Sequence, residues 1–338
     1  MILEWTIVSS LNYPRSKHKS IVLKDGKVLV TGGEDLAVCT HSTELYDPSS
    51  DDWISDDTIN LNHPRYFHTM SMLMDGKVLV TGGYDNHEYL DSTELYDSSI
   101  GRWIPMKNLT IARFRHTAVV LQNGKLLVVG GCGRNNDYLN STEFYDPTTD
   151  NWTMSGTLNE ARADHTLIIF HNNQVLITGG QNERGCLTSS ELYDPSTGLW
   201  TVVGDLNDGR FSHRMSLLNN GQVLVSGGTN GKIVLNSAEL YDPLLRQWRQ
   251  TGQLNFGRSS HTASLLSNGK ILITGGSTGT NVAQSSEIYD PLTGHWTQAN
   301  QLNYARQDHA DSILNDGRIL VSGGYVHSGD YLNTVEIY

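Results

Sequence analysis

Residues 116–131, HTAVVLQNGKLLVVGG, contain two short apolar runs that are separated by a turn and end in paired glycines. Versions of this stretch occur seven times, and their glycine pairs recur at steps of 50, 48, 49, 48, 48 and 48 residues. A constant period near fifty residues indicates an array of one repeated supersecondary unit. The pairs are Gly32-Gly33, Gly82-Gly83, Gly130-Gly131, Gly179-Gly180, Gly227-Gly228, Gly275-Gly276 and Gly323-Gly324.

One unit is predicted to hold four antiparallel strands. The apolar run 116–121 predicts a buried first strand. Asn123-Gly124 predicts a type I′ hairpin turn, in which both central residues have positive φ. The second strand is apolar on successive residues, so both of its faces should be covered. The third strand, STEFYDP at 141–147, alternates between a polar and an apolar face, and the fourth starts at Trp152.

Seven such units bury both faces of each sheet when they are arranged radially, which predicts an all-β, seven-bladed β-propeller. The blades begin near residues 18, 68, 116, 165, 213, 261 and 309, and together they form a single domain over 1–338. The sequence starts with a tryptophan-containing strand and ends after a third strand. Residues 1–10 are therefore predicted to complete the last blade and to remove its free edge.

The glycine pairs, a tyrosine in the third strand and a tryptophan in the fourth resemble the kelch repeat, and the resemblance covers essentially the whole sequence. It implies a seven-bladed kelch propeller, whose usual role is to bind another protein or a ligand on one face. Some kelch proteins are substrate adaptors in which BTB or F-box domains precede the propeller. We expect neither here, because the repeats fill the sequence. A few kelch propellers, such as galactose oxidase, are enzymes.

Three polar residues recur once in each unit and are predicted to be structural, because a blade needs one of each whereas a single ligand does not need seven. The arginines are Arg15, Arg65, Arg113, Arg162, Arg210, Arg258 and Arg306. The histidines, called the ring histidines below, are His18, His68, His116, His165, His213, His261 and His309. The glutamates are Glu44, Glu94, Glu143, Glu191, Glu239, Glu287 and Glu336.

A buried charge must be paired and hydrogen-bonded, so we expect one Glu–Arg pair per blade and ring histidines that hydrogen-bond to backbone. The alternative is a sevenfold cationic or metal-binding funnel at the channel mouth. One tryptophan and one tyrosine per unit are predicted to fill the gaps between sheets, rather than to stack on bases or sugars.

Composition excludes several function classes. The sequence has 24 Lys+Arg against 36 Asp+Glu, a net charge of -12, which argues against binding nucleic acid or an anionic membrane surface. We find no apolar run long enough to span a membrane and no signal peptide. Cys39, Cys132 and Cys186 are expected to be free thiols, which favours a cytoplasmic location. We also expect a monomer without a cofactor.

A specific partner is not sevenfold symmetric, so function should lie where the copies diverge on one surface. The loops after the glycine pairs and the loops that join blades share one face, called the loop face. In similar kelch propellers, ligand contacts follow the paired glycines and the arginine of each repeat. The matching candidates for ligand binding are Tyr66, Phe67, Tyr84, Asn86, Phe114, Arg115, Cys132, Arg134, Asp164, Gln181, Glu183, Phe211, Asp308 and Tyr325.

Aromatic residues and arginine, which dominate interface energetics, are concentrated in the second and third blades. We therefore expect a groove over blades two to four that binds a protein or peptide partner. We expect the groove to bind an extended peptide that carries an acidic and an apolar side chain. Arg115 and Arg134 would both donate hydrogen bonds to the peptide carboxylate. The alternative is that these segments are ordinary exposed loops.

A metal-dependent oxidase or lyase is the alternative function. A site resembling that of galactose oxidase needs two tyrosines, two histidines and a cysteine, and the nearest residues here are Tyr84, His87, Cys132, Tyr325 and His327. The loop 84–88 is the nearest candidate for an iron site. No phosphate-binding loop, zinc-spaced Cys/His set or nucleophile elbow occurs. The sequence therefore predicts a non-catalytic binding scaffold.

Overall fold

A computed structural model describes residues 4–36, 38–326 and 329–338, and it confirms the predicted all-β, seven-bladed β-propeller. Each blade is a four-stranded antiparallel sheet. The first strands of neighbouring blades contact one another in a closed ring around a central channel. The repeated unit of the sequence is therefore one blade.

The strands of the blades have these bounds, from the channel outward. The first strands are Lys19–Val22, Thr69–Met72, Thr117–Val120, Thr166–Ile169, Arg214–Leu217, Thr262–Leu265 and Ala310–Ile313. The second strands are Val28–Thr31, Val78–Thr81, Leu126–Val129, Val175–Thr178, Val223–Ser226, Ile271–Thr274 and Ile319–Ser322. The third strands are Thr43–Asp47, Thr93–Asp97, Thr142–Asp146, Ser190–Asp194, Ala238–Asp242, Ser286–Asp290 and Val335–Ile337. The fourth strands are Asp52–Ser55, Arg102–Met106, Asn151–Met154, Leu199–Val203, Gln247–Gln250, His295–Ala299 and Thr6–Val8.

The variable loops contain short elements that the sequence did not predict. Glu34–Asp35 pairs with Val38–Cys39, and Gln181–Asn182 pairs with Gly185–Cys186. Two single-turn 3-10 helices occupy Asp57–Ile59 and Arg134–Asn136.

The N-terminal strand completes the last blade, as predicted. Thr6–Val8 pairs antiparallel with Val335–Ile337. The ring also closes through the glycine pairs: the second glycine of each blade donates its N–H to the carbonyl of the arginine that begins the next blade. The N–H of Gly33 donates to the carbonyl of Arg65 at 2.9 Å, and the N–H of Gly324 in the last blade donates to the carbonyl of Arg15 before the first blade at 2.8 Å.

The glycine pairs are required by the close approach of neighbouring blades. Gly32 and Gly33 have φ of 65° and 99°, a region that disfavours other residues. A Cβ on Gly32 would lie 2.5 Å from the carbonyl oxygen of Arg65, and one on Gly33 would lie 2.6 Å from that of Ser16. A side chain at Gly32 would therefore displace the next blade, and one at Gly33 would displace the loop that enters its own blade.

The predicted Glu–Arg pairs are confirmed in all seven blades, with N–O distances between 2.7 and 3.1 Å. Every arginine and glutamate of the set is buried. In blade six, Arg258 also donates to the carbonyls of Gly275 and Ser285, and Glu287 accepts the backbone N–H groups of Asn255 and Phe256. The pairs tie the loop that enters a blade to the blade's third strand.

The third strand differs from the prediction, because both of its faces are buried. Thr43 and Glu44 have 1% and 0% of their surface exposed. The glutamate of this strand can be buried because it is paired with arginine. The Trp–Tyr packing is confirmed, since the two rings of each blade lie 4.9 to 5.2 Å apart.

The hairpin turns are not type I′. In the first blade only Gly26 has positive φ, and its N–H donates to the carbonyl of Leu23 at 2.9 Å. Leu23 and Lys27 pair on either side, so the loop holds three residues. Such loops form a type I turn followed by a left-handed residue. In the fourth blade Asn173, with φ 67°, takes the place of the glycine.

Six of the ring histidines hydrogen-bond to side-chain hydroxyl groups, whereas the prediction placed these bonds on backbone. For example, His165 Nε2 lies 2.7 Å from Thr117 Oγ1, and His213 Nε2 lies 2.7 Å from Thr166 Oγ1. Each of these bonds joins neighbouring blades. The prediction failed because it considered one blade alone, whereas the partner belongs to the blade before it.

The cysteines are free thiols, as predicted. Within the described ranges, no helix has the length and apolar character needed to cross a membrane.

Candidate functional site

The two groups of variable positions meet at the rim of the loop face. In each blade the residue after the arginine forms an isolated antiparallel bridge with the residue after the glycine pair. The bridges are Ser16–Glu34, Tyr66–Tyr84, Phe114–Cys132, Ala163–Gln181, Phe211–Thr229, Ser259–Ser277 and Gln307–Tyr325. The same backbone bridge therefore recurs in all seven blades and presents different side chains in each.

The next residue of each blade forms an inner ring around the channel entrance, called the mouth ring. Its members have φ between 51° and 55°, the left-handed region. Non-glycine residues there cost about 1–3 kcal/mol each, and such strain concentrates at functional sites. The members are Lys17, Phe67, Arg115, Asp164, Ser212, Ser260 and Asp308.

Backbone hydrogen bonds link the mouth ring from blade to blade. Lys17 donates its N–H to Asp308 at 2.8 Å, Asp164 donates to Arg115 at 3.1 Å, and Asp308 donates to Ser260 at 3.1 Å. These bonds help to hold the left-handed residues in place.

Five aromatic side chains form a continuous cluster above blades two and three: Tyr66, Phe67, Tyr84, Tyr89 and Phe114. Tyr89 stacks on Phe114 with centroids 4.7 Å apart, and Tyr84 lies 5.2 Å from Tyr89 and 5.6 Å from Tyr66. All five are half-buried. We call this group the aromatic cluster.

Two cations flank the aromatic cluster. The guanidinium of Arg115 lies 4.6 Å from the Phe67 ring centroid, and the amine of Lys17 lies 4.9 Å from the same centroid. Lys17 is paired with Glu34 at 2.7 Å and Arg115 with Asp164 at 3.1 Å. The result is an apolar surface with a cation on each side.

Arg115 retains hydrogen-bonding capacity. Its Nη1 donates to Asp164, whereas its Nε has no partner among the described residues. Gln181 donates to the same carboxylate at 2.8 Å, so Asp164 is held from two sides. The side chain of Arg115 is 34% exposed, so the guanidinium, although positioned by Asp164, can still donate to a second anion.

The other predicted residues do not all join this group. Arg134 is 67% exposed, lies 3.9 Å from Asp91, and lines a separate cleft from the channel mouth that Arg115 lines. The backbone carbonyl of Asn86 accepts a hydrogen bond from the Tyr84 hydroxyl, and Glu183 is exposed. The remaining three lie on other blades: Phe211 on blade five, and Asp308 and Tyr325 on blade seven.

The channel beneath the mouth ring is a cavity of about 210 Å³. Its wall includes six of the ring histidines and the charged side chains of Lys19 and Arg214. Burial lowers the pKa of the ring histidines, to about 3 for His165, so they are neutral near pH 7. A cationic histidine funnel is therefore not formed.

The described residues do not fit the copper or iron site considered as an alternative. They contain no group of three or more His, Cys, Asp or Glu placed to hold a metal. Burial raises the pKa of the Cys132 thiol to about 11, and Asp85 accepts the backbone N–H groups of His87 and Glu88 in a turn. His327 lies outside the described residues.

Sequence reasoning missed Tyr89, Lys19 and Arg214. Tyr89 lies within a variable loop, five residues after Tyr84, where no repeated pattern aligns it. Lys19 and Arg214 follow ring histidines at a position where four copies have threonine. Comparison of the seven copies at that position would have found both.

Comparison with solved structures supports the fold. A fungal alcohol oxidase, described as showing catalytic diversity among the AA5 family and in complex with copper, matches with a TM-score of 0.82 and 19% identity. The match covers 100% of this chain and 76% of that one. At this identity the likeness shows the fold alone.

Sequence comparison identifies the family. No curated protein matches the chain. The family model of the KLHDC2/KLHL20/DRC7 Kelch-repeats domain matches residues 3–155, 104–276 and 164–338. These three overlapping matches extend over nearly the whole sequence, and the chain therefore belongs to the kelch-repeat family.

Proposed function

We propose that this protein is a non-catalytic scaffold whose loop face binds an extended peptide segment of a partner protein. Kelch propellers generally bind protein partners, and this chain has the family's fold over its described residues. The observation that carries the proposal is the aromatic cluster with its two flanking cations. It is confined to one side of the mouth, whereas blades five and six contribute Ser212 and Ser260.

The cluster defines the chemistry of the peptide. Half-buried aromatic rings offer a surface on which an apolar side chain would lose its contact with water. Arg115, whose side chain is partly exposed, would donate hydrogen bonds to an acidic side chain beside it. Because Arg134 lines a different cleft, we assign the carboxylate to Arg115, and Arg134 would contact the peptide further out.

Replacing Phe114 with alanine is expected to weaken partner binding by about 30-fold or more, because a buried aromatic anchor contributes about 2 kcal/mol or more. Arg115→Ala should weaken it similarly. Affinity capture of tagged variants, followed by quantitative mass spectrometry and titration of the captured partner, measures both effects.

The matched control is Phe256→Ala, which removes a phenylalanine that is 50% exposed and lies outside the cluster. Binding should remain unchanged in this variant. If Phe114→Ala and Arg115→Ala retain every partner at wild-type affinity, the loop-face proposal is wrong.

A further inference from the structure

The residue that follows each ring histidine has a structural role in four blades. Thr69, Thr117, Thr166 and Thr262 each place a hydroxyl within 2.7 to 3.1 Å of the next blade's ring histidine. Threonine at this position thus holds adjacent blades together.

Three copies depart from threonine at that position: Lys19, Arg214 and Ala310. At Lys19 and Arg214 the next blade's ring histidine is less well hydrogen-bonded, whereas beside Ala310 His18 keeps a contact to Ser322 at 3.0 Å. Beside Lys19, both ring nitrogens of His68 lack a hydrogen-bond partner among the described residues, although the side chain is 1% exposed. Beside Arg214, His261 retains one contact at 3.3 Å, to Ser226. The fold therefore does not explain the two cations.

Lys19 and Arg214 both face the channel cavity and lack close counterions. Within the described residues, neither has a carboxylate oxygen within the 4.0 Å of an ion pair, and Arg214 donates one hydrogen bond, to the His213 carbonyl at 3.3 Å. The cations of the mouth ring, Lys17 and Arg115, are paired. Lys19 and Arg214 share one enclosed space, and the negative charges that act on Arg214 are those of Asp311 and Asp308.

The charges around Lys19 support this description. Enclosure by the blades lowers the pKa of Lys19 to about 8, and the largest charge contribution comes from Arg214, ahead of Asp308 and Asp311. Both carboxylates belong to blade seven and hydrogen-bond to serines of blade six: Ser264 donates to Asp311 at 2.5 Å, and Ser260 hydrogen-bonds to Asp308. Burial raises the pKa of both carboxyl groups.

We propose that the channel between Lys19 and Arg214 binds a small oxyanion of the sulfate or phosphate class. Such an ion would neutralise both cations, and its oxygens would accept charge-assisted hydrogen bonds from the amine and the guanidinium. The unpartnered His68 lies on the same wall and offers a further donor. A cavity of about 210 Å³ exceeds the ~10–15 Å³ that holds one water. The site lies beneath the mouth ring, and its proposal does not rest on peptide binding at the rim.

Isothermal titration with sulfate tests the proposal, because sulfate keeps its charge across the pH range used. Sodium chloride at matched ionic strength corrects for screening. We expect one saturable site in the wild type. Lys19→Thr and Arg214→Thr should each weaken it about tenfold or more, since each removes a charge-assisted hydrogen bond.

The threonine variants keep the test interpretable, because threonine is the residue of the other blades. It would supply a hydroxyl to His68 or His261, so both variants should fold and melt no lower than the wild type. Absence of saturable sulfate binding in the wild type, or wild-type affinity in either variant, would overturn the proposal.

A pH series assigns the binding to Lys19. Arg214, Asp308 and Asp311 face the same space, with Lys17, Arg115 and Asp164 at the mouth. Since the pKa of Lys19 is about 8, sulfate affinity should fall between pH 7 and 9. It should stay constant in Lys19→Arg, where the cation does not deprotonate. An equal fall in both proteins would contradict the role of Lys19.

Discussion

Replacing Glu287 with glutamine is expected to lower the free energy of unfolding by about 3–5 kcal/mol, because it leaves a buried arginine without its counterion. Arg258 and Glu287 are both completely buried and lie 2.7 Å apart. Glutamine would also turn an amide N–H₂ toward backbone N–H groups that now donate to the carboxylate. Urea unfolding at pH 7 measures the loss.

Two further variants test whether the loss of stability comes from burial of the Glu287–Arg258 pair or from the removal of any charge. Lys270→Met breaks the partly exposed pair with Asp290 in the same blade and should cost about 0–1 kcal/mol. Glu191→Gln should cost less than Glu287→Gln, because Glu160 remains 3.9 Å from Arg162. Equal stability of Glu287→Gln and the wild type would show that the pair does not stabilise the blade.

Mild acid is expected to destabilise the protein steeply, because all seven ring histidines are buried and neutral in the folded state. Burial holds their pKa below 6.5, whereas the unfolded chain takes up protons as the pH falls through 6.5. Stability is therefore lost from pH 6.5 downward, toward the folded pKa of about 3 for His165. Between pH 6.5 and 5.5 each histidine should contribute about 1 kcal/mol of destabilisation.

Seven histidines acting together would remove roughly several kcal/mol across that unit of pH, a large part of a typical domain's stability. Asp308 and Asp311 act in the opposite direction, since burial raises their pKa, but they are only two. Urea unfolding at pH 7.5, 6.5 and 5.5 measures the effect. In His165→Gln the loss of unfolding free energy between pH 6.5 and 5.5 should be smaller by the contribution of one histidine. An unfolding free energy that does not change between these pH values would contradict the buried neutral state.

The sequence predicts the fold well because each blade repeats the same local signals. Seven glycine pairs, seven tryptophans and seven Glu–Arg pairs each report one physical requirement, so a single misjudged segment does not change the architecture. Errors appear where one blade depends on another or on turn length. The ring histidines find their partners across an interface, and the hairpin loop has three residues rather than two.

The candidate site is predicted less completely, because its geometry depends on how different blades meet. Positions beside the repeated arginines and glycines locate Tyr66, Phe67, Tyr84, Phe114 and Arg115, which the structure brings together. The separation of Arg134 from Arg115 follows from the path of the loop 133–137, which no repeat pattern describes. Tyr89 enters the cluster through the same kind of irregular loop.

Site-specific photo-crosslinking tests most directly whether the partner contacts the loop face. A benzophenone amino acid replaces Tyr84 within the aromatic cluster or, as the control, Leu244, which is 93% exposed in the turn between the third and fourth strands of blade five. That turn lies at the opposite end of the strands from the loop face. We predict that the partner crosslinks through position 84 and not through position 244. Crosslinking through position 244 alone would contradict binding at the loop face.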